Sequence, residues 1–283
     1  MKRAILTATA YILITLRFIF AENIHVPYLP SAIIIITFFL FIRRILMSIF
    51  MLSDPHLSLT ADKPMDVFGA RWENYLEKLE MNWKNTVGSG DTVVIPGDIS
   101  WGMGLDTATE DLTFINALPG RKIIGKGNHD YWWQTMKKLT AFKEEIMADS
   151  IDFLFNNAYL CENFIISGTR GWMLDSNYSD EDLKIVNREA GRLRLSLEEA
   201  KKLKASSPNA EIVVFLHYPP SFGGIICRQI VDVMLEYDVK RCFYGHIHSI
   251  NPELLDRQAD GIEIFCVSAD LLGFKPMKLN PLS

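Results

Sequence analysis

A strand-forming run leads directly into a turn and a carboxylate in Thr92-Val93-Val94-Ile95-Pro96-Gly97-Asp98. Apolar and β-branched residues are typical of a buried strand, and Pro-Gly is typical of a turn. The same order recurs along the chain, with a polar residue after each apolar run: Asp54 after 50–53, Asn128 after 123–124, His217 after 213–216 and His246 after 242–244. Because ligand-binding loops lie at the carboxyl edge of an α/β sheet, we expect all five loops to converge on one site.

Helical periodicity between these strands indicates an α/β fold. Helices are predicted at 67–87, 105–118, about 132–147, about 180–205 and about 226–237, and strands at 47–53, 92–95, 122–124, 151–155, 163–167, 211–216, 240–244 and 262–267. No internal repeat or low-complexity linker interrupts this pattern. Residues 47–283 are therefore predicted to form a single catalytic domain.

The histidines are few and clustered. Of six in the chain, five lie in four short segments: Asp54-Pro55-His56, Gly127-Asn128-His129-Asp130, His217-Tyr218-Pro219-Pro220 and Gly245-His246-Ile247-His248. Imidazole nitrogens together with carboxylate or amide oxygens form the ligand set of a divalent metal. On an extended segment, His246 and His248 would point the same way and could reach one cluster. Any one histidine alone is more simply a core or surface side chain, but the pattern favours a metal site.

The composition excludes some classes of protein. The chain has 283 residues, 49% of them hydrophobic and 22% charged, as expected of a folded globular protein. Its net charge of -5 disfavours a broad nucleic-acid surface. The cysteines are far apart and form no Cys-x-x-Cys pair, so we predict a cytoplasmic protein with reduced, buried thiols at Cys161, Cys227, Cys242 and Cys266.

Residues 1–46 differ in composition from the rest of the chain. Two apolar stretches, 4–20 and 31–42, are each shorter than the roughly 20 residues that span a bilayer. Three interpretations remain open: a membrane hairpin that leaves the catalytic domain at the inner face of the membrane, a secretory signal without a convincing cleavage site, or a mis-assigned start upstream of Met47. Mass spectrometry of the natural N-terminus would distinguish them.

Taken in order, the motifs resemble those of the calcineurin-like metallophosphoesterase superfamily, from Met47 almost to the end of the chain. The residues that carry the resemblance are Asp54-x-His56, Gly97-Asp98, Gly127-Asn128-His129-Asp130, His217 and Gly245-His246-x-His248. The resemblance implies the fold of that superfamily, an α/β sandwich in which two central β-sheets are flanked by helices (αββα).

A closer resemblance is to a group of small bacterial predicted phosphohydrolases. It rests on the segments 53–58, 96–101, 127–133, 168–172 and 217–220. That group usually carries leucine or a similar residue where this chain has Pro55. The departure is small, because proline fixes its own backbone but contributes no side-chain ligand.

The resemblance also implies two divalent metal ions bridged by Asp98. Asp54, His56 and His248 would complete the first site, and Asn128, His217 and His246 the second. A water that bridges the two metals would act as the nucleophile in its hydroxide form. Mn²⁺ is the expected metal, although iron, zinc and magnesium also accept mixed nitrogen and oxygen ligands.

His129 is the predicted catalytic residue. In the superfamily the equivalent histidine protonates the leaving oxygen or stabilises the phosphoryl group, which suits a side chain that titrates near neutrality. A purely structural histidine is the alternative. Asp130 could orient His129, or it could cap the helix predicted from Trp132.

Three further residues are predicted to bind substrate. The guanidinium of Arg170, in a glycine-flanked loop, could clamp phosphate oxygens, or it could form a surface salt bridge. Trp101 and Tyr131 could wall a pocket, or they could pack in the core. Ser-Trp-Gly at 100–102 replaces the Asp-Arg-Gly of the serine/threonine protein phosphatases, so a phosphoprotein substrate is disfavoured.

The motifs thus predict a dinuclear metal-dependent phosphohydrolase that acts on a phosphomonoester or phosphodiester of a phosphorylated small molecule. One alternative is a membrane-associated pyrophosphohydrolase or phosphodiesterase with a lipid-linked or nucleotide substrate, which the apolar N-terminus suggests. The other is a non-catalytic scaffold on the same fold. Scaffolds of this kind typically lack ligands or the catalytic histidine, and this chain has all of them.

Overall fold

Short apolar runs alternate with amphipathic helices along residues 47–173 and 177–281, which the computed structural model describes. The strands are β1 Ile49–Met51, β2 Thr92–Ile95, β3 Arg121–Ile124, β4 Ile151–Phe153, β5 Ala158–Cys161, β6 Phe164–Thr169, β7 Glu211–Leu216, β8 Ser221–Phe222, β9 Ile225–Ile226, β10 Arg241–Tyr244, β11 Gln258–Ala259, β12 Ile262–Cys266 and β13 Met277–Lys278. The helices are α1 Tyr75–Thr86, α2 Leu105–Ala117, α3 Met136–Glu145, α4 Asp180–Ser206 and α5 Arg228–Glu236, with 3-10 turns at Met65–Phe68, Ala70–Trp72 and Pro252–Leu254.

Two large mixed sheets form the centre of the fold. The first has the strand order β13-β1-β2-β3-β4, and its four strands from β1 to β4 run parallel. The second has the order β11-β12-β10-β7-β6-β5, with parallel strands inside and an antiparallel strand at each edge. All carboxyl ends of the parallel strands in one sheet meet at the same edge, which gives each sheet one edge suited to a site.

The sheets pack face to face through alternating side chains. Val94 of β2 faces the second sheet, whereas Val93 and Ile95 face the helices, as the two-residue period of a strand requires. The core between the sheets contains residues of both: Ile49, Met51, Val94, Ile123, Ile166, Val213, Phe215 and Phe243. Apolar burial on this scale is the main favourable contribution to folding.

Helices cover the outer face of each sheet. Residues of α1, α2 and α3 pack on the first sheet, among them Leu79, Trp83, Leu112, Ile115, Leu139 and Phe142. Residues of α4 and α5 pack on the second sheet, among them Val186, Leu193, Leu197, Ile230, Val231 and Met234. The layers are therefore helix, sheet, sheet and helix, and the predicted αββα sandwich is confirmed.

Two predicted helices begin later than expected because the backbone is interrupted. The helix predicted over 67–87 is two 3-10 turns followed by α1, since Gly69 and Asn74 both have positive φ angles, of 110° and 51°. The helix predicted from Trp132 begins at Met136. Trp132 instead lies in a loop that its indole ties to the carboxylate of Asp130 at 3.0 Å.

The short edge strands were not predicted. Strands β5, β8, β9, β11 and β13 have two to four residues each, and each is defined by pairing with a neighbour.

The predicted burial of the cysteines is confirmed for Cys161, Cys227 and Cys242, while Cys266 is half-buried, and all four are free thiols.

The interpretations of residues 1–46, and the domain boundary at Met47, lie outside what the structure describes and stay predictions. Among the helices of the described ranges, none combines the length and apolar character needed to cross a membrane.

Candidate metal centre

The carboxyl edges of the two sheets meet at the ends of β1 and β12. The amide of Ser53, just after β1, donates to the carbonyl of Val267 at 2.8 Å, and the amide of Ala269 donates back to the carbonyl of Ser53 at 2.8 Å. This exchange joins the first sheet to the second. Loops from both sheets therefore open onto one shared space.

Asp54, His56 and His248 form the first cluster of ligand atoms. Each contributes one atom, and these atoms all lie within 4.8 Å of one another. The two Nε2 atoms of His56 and His248 are 3.2 Å apart, and Asp54 Oδ1 is 3.6 Å from His248 Nε2. One cation placed among them would be in reach of all three side chains.

Asp98, His217 and His246 form the second cluster under the same distance limit. Asn128 joins it, because its Oδ1 lies 2.6 Å from His217 Nε2. All seven predicted metal ligands are thus brought together, four from the loops of the first sheet and three from those of the second.

Asp98 lies between the two clusters. Its Oδ2 is 3.7 Å from His56 Nε2 in the first and 3.5 Å from His217 Nε2 in the second. Its Oδ1 accepts the backbone N–H of His129 at 2.7 Å. One carboxylate oxygen is therefore held by the backbone, while the other faces both clusters, as a bridging ligand would require.

The burial of the acids supports cations at this place. Asp54 is 0% exposed and Asp98 is 1% exposed, so both carboxylates are out of water. Burial, and then the neighbouring charge of Asp54, raise the pKa of Asp98 well above its usual range. Two buried carboxylates side by side are costly unless positive charge compensates them, and divalent ions would provide it.

Two of the cluster histidines, His56 and His217, are already in the protonation state that binds metals. Burial lowers the pKa of His56 and of His217 to about 3, which leaves both imidazoles neutral at pH 7. Neutral imidazole is the form that binds metals. The buried Nδ1 atoms of both residues have no hydrogen-bond partner within the described part of the chain. The donor set therefore fits two divalent cations.

His129 lies beside the clusters without belonging to either. It is half-buried, its ring centroid is 5.7 Å from that of His56, and its Nδ1 is 3.3 Å from the Tyr131 hydroxyl. The Trp101 ring packs against both histidines, and its centroid lies 4.2 Å from that of His129 and 5.1 Å from that of His56. Both predicted pocket aromatics therefore touch the predicted catalytic residue.

A sequence model described as calcineurin-like phosphoesterase matches residues 47–249. The chain belongs to the calcineurin-like phosphoesterase family. The predicted superfamily is confirmed, and with it a metal-dependent hydrolase of phosphoesters. The closer resemblance to small bacterial phosphohydrolases stays a prediction. No curated protein matches the sequence.

Several solved structures are similar to this phosphoesterase. A protein of unknown function from Aquifex aeolicus is 17% identical with a TM-score of 0.48, over 82% of this chain and 95% of that one. A phosphopantetheinyl hydrolase from Mycobacterium tuberculosis is 13% identical with a TM-score of 0.47, over 83% and 96%. A protein from Thermus thermophilus is 11% identical with a TM-score of 0.46, over 82% and 97%. Similarity this remote carries no argument about substrate.

The loops of the phosphoesterase centre require unusual backbone. Asp54, His56, Asp98 and His246 all have positive φ angles, between 46° and 70°, a region that side-chain-bearing residues rarely adopt. Such conformations concentrate at functional sites, where the surrounding structure enforces them.

Two glycines allow the loops to approach the acids. A Cβ atom on Gly127 would lie 2.0 Å from Asp98 Oδ1, and one on Gly245 would lie 2.1 Å from Asp54 Oδ2. Any side chain at either position would displace a predicted ligand, so glycine is required at both.

Asp130 has a role that differs from both sequence predictions. Its buried carboxylate accepts the amides of Gly127, Asp98 and Ile99 at 2.7 to 2.8 Å. It neither contacts the His129 ring nor caps a helix, since the next helix begins at Met136. Asp130 instead binds the Asp98 loop to the loop of Asn128, because a carboxylate can accept several backbone N–H groups at once.

Asp270 was missed by sequence reasoning. Its buried carboxylate accepts from His248 Nδ1 at 2.8 Å and from the Ser249 amide at 2.9 Å. Burial would lower the pKa of His248, but the bonds to Asp270 and Asp54 outweigh it and raise that pKa to about 10. A signal was available, because Asp270 follows the end of β12 as the predicted ligands follow other strands.

Arg170 lies close to the second cluster but is not at the metals. Its carbonyl accepts the amides of His217 and Tyr218 at 3.0 and 2.9 Å, so its backbone positions a predicted ligand. Its guanidinium lies 3.8 Å from the buried Glu189 and 5.0 Å from the Trp172 ring centroid. Arg170 therefore forms an ion pair with a buried acid and not the surface salt bridge that the sequence analysis considered. Phosphate binding by Arg170 stays a prediction.

Proposed function

We propose that this phosphoesterase hydrolyses a phosphomonoester or phosphodiester of a small molecule at a dinuclear metal site. The observation that carries the proposal is the position of Asp98 Oδ2, within 3.7 Å of His56 Nε2 and 3.5 Å of His217 Nε2. A single oxygen that faces both clusters is the arrangement expected of a ligand shared by two cations.

The chain would hold each metal with a distinct set of ligands. Asp54, His56 and His248 would hold the first, Asn128, His217 and His246 the second, and Asp98 both. When bound, the two ions would acidify a water for attack and neutralise charge on the phosphoryl oxygens. Mn²⁺ is the proposed metal because the donors are mixed imidazole nitrogens and oxygens, with iron, zinc and magnesium as the alternatives.

His129 would supply the proton for the leaving oxygen. With Nδ1 beside the Tyr131 hydroxyl, Nε2 is the atom that would pass the proton. The ring is half-buried, so it can meet substrate while remaining next to the clusters. Protonation of the leaving group in the transition state contributes on the order of 10²- to 10⁴-fold in rate.

A small phosphorylated molecule in the cytoplasm fits the chain better than a macromolecule. The free thiols of the four cysteines support a reducing compartment. The net charge of -5 gives no broad attraction to nucleic acid. The described residues add no observation in favour of a lipid-linked substrate.

The proposal predicts that His129→Ala affects esters with poor leaving groups most. Hydrolysis of phenyl phosphate by Mn²⁺-loaded protein should fall by about 10²- to 10⁴-fold, because phenolate needs a proton. Hydrolysis of 4-nitrophenyl phosphate should fall less, because nitrophenolate leaves without one. Steady-state rates for both esters measure the difference, and Asp98→Asn should abolish hydrolysis of both.

Asp238→Asn is the matched control for Asp98→Asn, since Asp238 also has a positive φ but pairs with Lys240 on the surface. It should hydrolyse both esters at the wild-type rate. The proposal would be overturned if wild-type protein loaded with manganese, iron, zinc or magnesium hydrolysed no phosphoester. If His129→Ala lowered the rates of hydrolysis of both aryl esters equally, the proton-donor role of His129 would be refuted. The proposed metal-dependent hydrolysis would still stand.

A further inference from the structure

A cavity of about 450 Å³ opens next to the predicted catalytic histidine. That volume lies within the range of small-molecule pockets. The cavity is lined by Ala61, Asp62, Lys63, Trp101, Met103, Thr107 and Tyr131. None of these is a predicted metal ligand, and only Trp101 and Tyr131 were singled out from the sequence.

Trp101 and Tyr131 connect this cavity to the metal centre. Both side chains line it, and both contact His129. The centroid of the Trp101 ring lies 4.2 Å from that of His129, and the Tyr131 hydroxyl lies 3.3 Å from His129 Nδ1. The cavity is therefore separated from His129, which would protonate the leaving oxygen, only by these two side chains. A group bound there would occupy the leaving side of the phosphoryl group.

The walls of the cavity are mainly flat or apolar. The Trp101 indole is held in place because its Nε1 donates to the sulfur of Met65 at 3.2 Å. Met103 and Tyr131 are large side chains that are 71% and 48% exposed, and both face the cavity. Exposed apolar surface of this kind is stabilised when a flat, apolar ligand covers it.

Lys63 provides a positive charge inside the cavity. Its ammonium lies 4.2 Å from the centroid of the Trp101 ring, in cation–π contact. The same Trp101 ring lies 4.2 Å from the ring of His129, so Lys63 is one side chain away from the predicted catalytic residue. Asp62 also lines the cavity and opposes this charge, so the two side chains provide variants with opposite effects.

Building on the proposed function, we propose that this cavity binds the leaving group of the substrate, and that the leaving group has a flat, apolar body and a second negative charge. The flat body would lie against Met103 and Tyr131, the exposed side chains of the cavity, and the charge would pair with Lys63 above the Trp101 ring. The class of substrate is then a phosphoester of an anionic aromatic or similarly flat alcohol.

A larger cavity of about 960 Å³ does not compete for this role. It is lined by Phe164, Glu211 and Lys240, among others, at or next to the starts of β6, β7 and β10. Predicted metal ligands follow the opposite ends of β7 and β10. The larger cavity therefore lies away from the reacting groups.

Two matched aryl esters test the proposal. Wild-type Mn²⁺-loaded protein is compared with Lys63→Met on 4-carboxyphenyl phosphate and on the neutral 4-carbamoylphenyl phosphate. The ratio of kcat/KM for the anionic ester to that for the neutral ester should fall about fivefold in Lys63→Met, as loss of one exposed ion pair predicts. Intrinsic leaving-group reactivity cancels when the ratio in Lys63→Met is compared with the ratio in the wild type.

Further variants separate charge from structure. Lys63→Arg should restore the wild-type ratio, and Asp62→Asn should raise it, because the opposing charge is removed. Lys184→Met is the control, since Lys184 is an exposed residue of α4 that pairs with Glu181. It should leave the ratio unchanged. A ratio that is the same in wild type, Lys63→Met and Asp62→Asn would overturn the proposal.

Binding of the leaving group itself tests the pocket without hydrolysis. In ligand-observed NMR, 4-hydroxybenzoate should bind wild-type protein more tightly than Lys63→Met, whereas 4-hydroxybenzamide should bind both alike. These titrations need no hydrolysis, so they decide whether the cavity binds the leaving group even if neither ester is a substrate. Equal binding of 4-hydroxybenzoate to both proteins would refute the role of Lys63.

Discussion

At the residue scale, acids outside the ligand set hold the ligands in place. Asp270 accepts from His248 Nδ1 at 2.8 Å, and Asp130 accepts three amides from the loops of Asp98 and Asn128. A carboxylate behind a histidine fixes the tautomer of the ring and makes it a stronger ligand. The geometry of both clusters thus depends on side chains that are not themselves predicted ligands.

Asp270→Asn should weaken metal binding. The substitution removes the negative charge behind His248 while leaving a side chain of the same size, so the imidazole becomes a poorer ligand. We expect the dissociation constant for Mn²⁺ at the first cluster to rise by about 10- to 100-fold. Calorimetric titration of metal-free protein with MnCl₂ at pH 7 measures it.

Asp260→Asn is a suitable control for Asp270→Asn, because Asp260 pairs with Arg228 at the surface. Its Mn²⁺ affinity should equal that of the wild type. An affinity in Asp270→Asn within twofold of the wild type would mean that the carboxylate does not support His248.

The identities of the ligands were predictable at this scale, but their supports were not. Motif spacing singled out Asp54, Asp98 and five other ligands because acids, amides and imidazoles after strands are few. Asp130 was noticed but misinterpreted, since its partners are backbone amides of a loop 30 residues away. Backbone partners leave no trace in the sequence.

At the element scale, Lys122 shows how a strand is joined to the helix before it. Its buried ammonium donates to the carbonyls of Asn116 and Leu118 at the end of α2 and to the hydroxyl of Ser150 before β4. These contacts satisfy carbonyls that a helix end leaves without partners. Burial also lowers the pKa of Lys122 to about 8.

Lys122→Met should lower the free energy of unfolding by about 1–3 kcal/mol at pH 7, because the carbonyl of Leu118 loses its partner. The difference in free energy of unfolding between wild type and variant should be larger by about 1 kcal/mol at pH 9. Between pH 8 and the pKa of lysine in the unfolded chain, the unfolded state binds more protons, so the wild type gains stability there and the variant does not. Urea unfolding at both pH values measures the two differences.

Lys184→Met should change stability by less than about 0.5 kcal/mol, as expected for an exposed side chain. The difference in free energy of unfolding between wild type and Lys122→Met should not stay constant or decrease from pH 7 to pH 9. Either result would contradict the assignment of a lowered pKa to Lys122.

Strands and helices were predictable where periodicity was strong. Strands β2 and β7 have the predicted limits, since each is a run of apolar residues buried in a parallel sheet. The segment from 67 to 74 was not predictable as 3-10 turns, because its apolar spacing is helical and only the positive φ angles of Gly69 and Asn74 break it.

At the scale of the whole molecule, the metal centre joins the two sheets. Asp54, His56, Asp98 and Asn128 come from the first sheet, and His217, His246 and His248 from the second. Cations held between the sheets would bind only the folded protein, because the unfolded chain cannot bring these residues together.

Metal binding should therefore raise the melting temperature. At a free metal concentration of about 100 times the dissociation constant, one ion adds about 2.7 kcal/mol of stability. For a domain of this size that corresponds to a shift on the order of 5–10 °C. Differential scanning fluorimetry of EDTA-treated protein with and without MnCl₂ measures it.

The same shift should be lost in Asp54→Asn and retained in Asp238→Asn. A melting temperature that does not change when metal is removed or added would contradict a site shared by the two sheets.

Residue chemistry and its order along the chain predicted an α/β domain and the seven residues that the two clusters bring together, because strands and the polar residues after them are encoded locally. The resemblance carried by those motifs implied the family and the sandwich of two sheets. Tertiary structure decided which groups support and surround them: Asp270 behind His248, Asp130 under the Asp98 loop, and Lys63 with Trp101 in the cavity beside His129. These contacts join residues that lie between 22 and 38 positions apart. Only the pairing of neighbouring strands brings such groups together, since periodicity records which face a side chain occupies and not what it meets there.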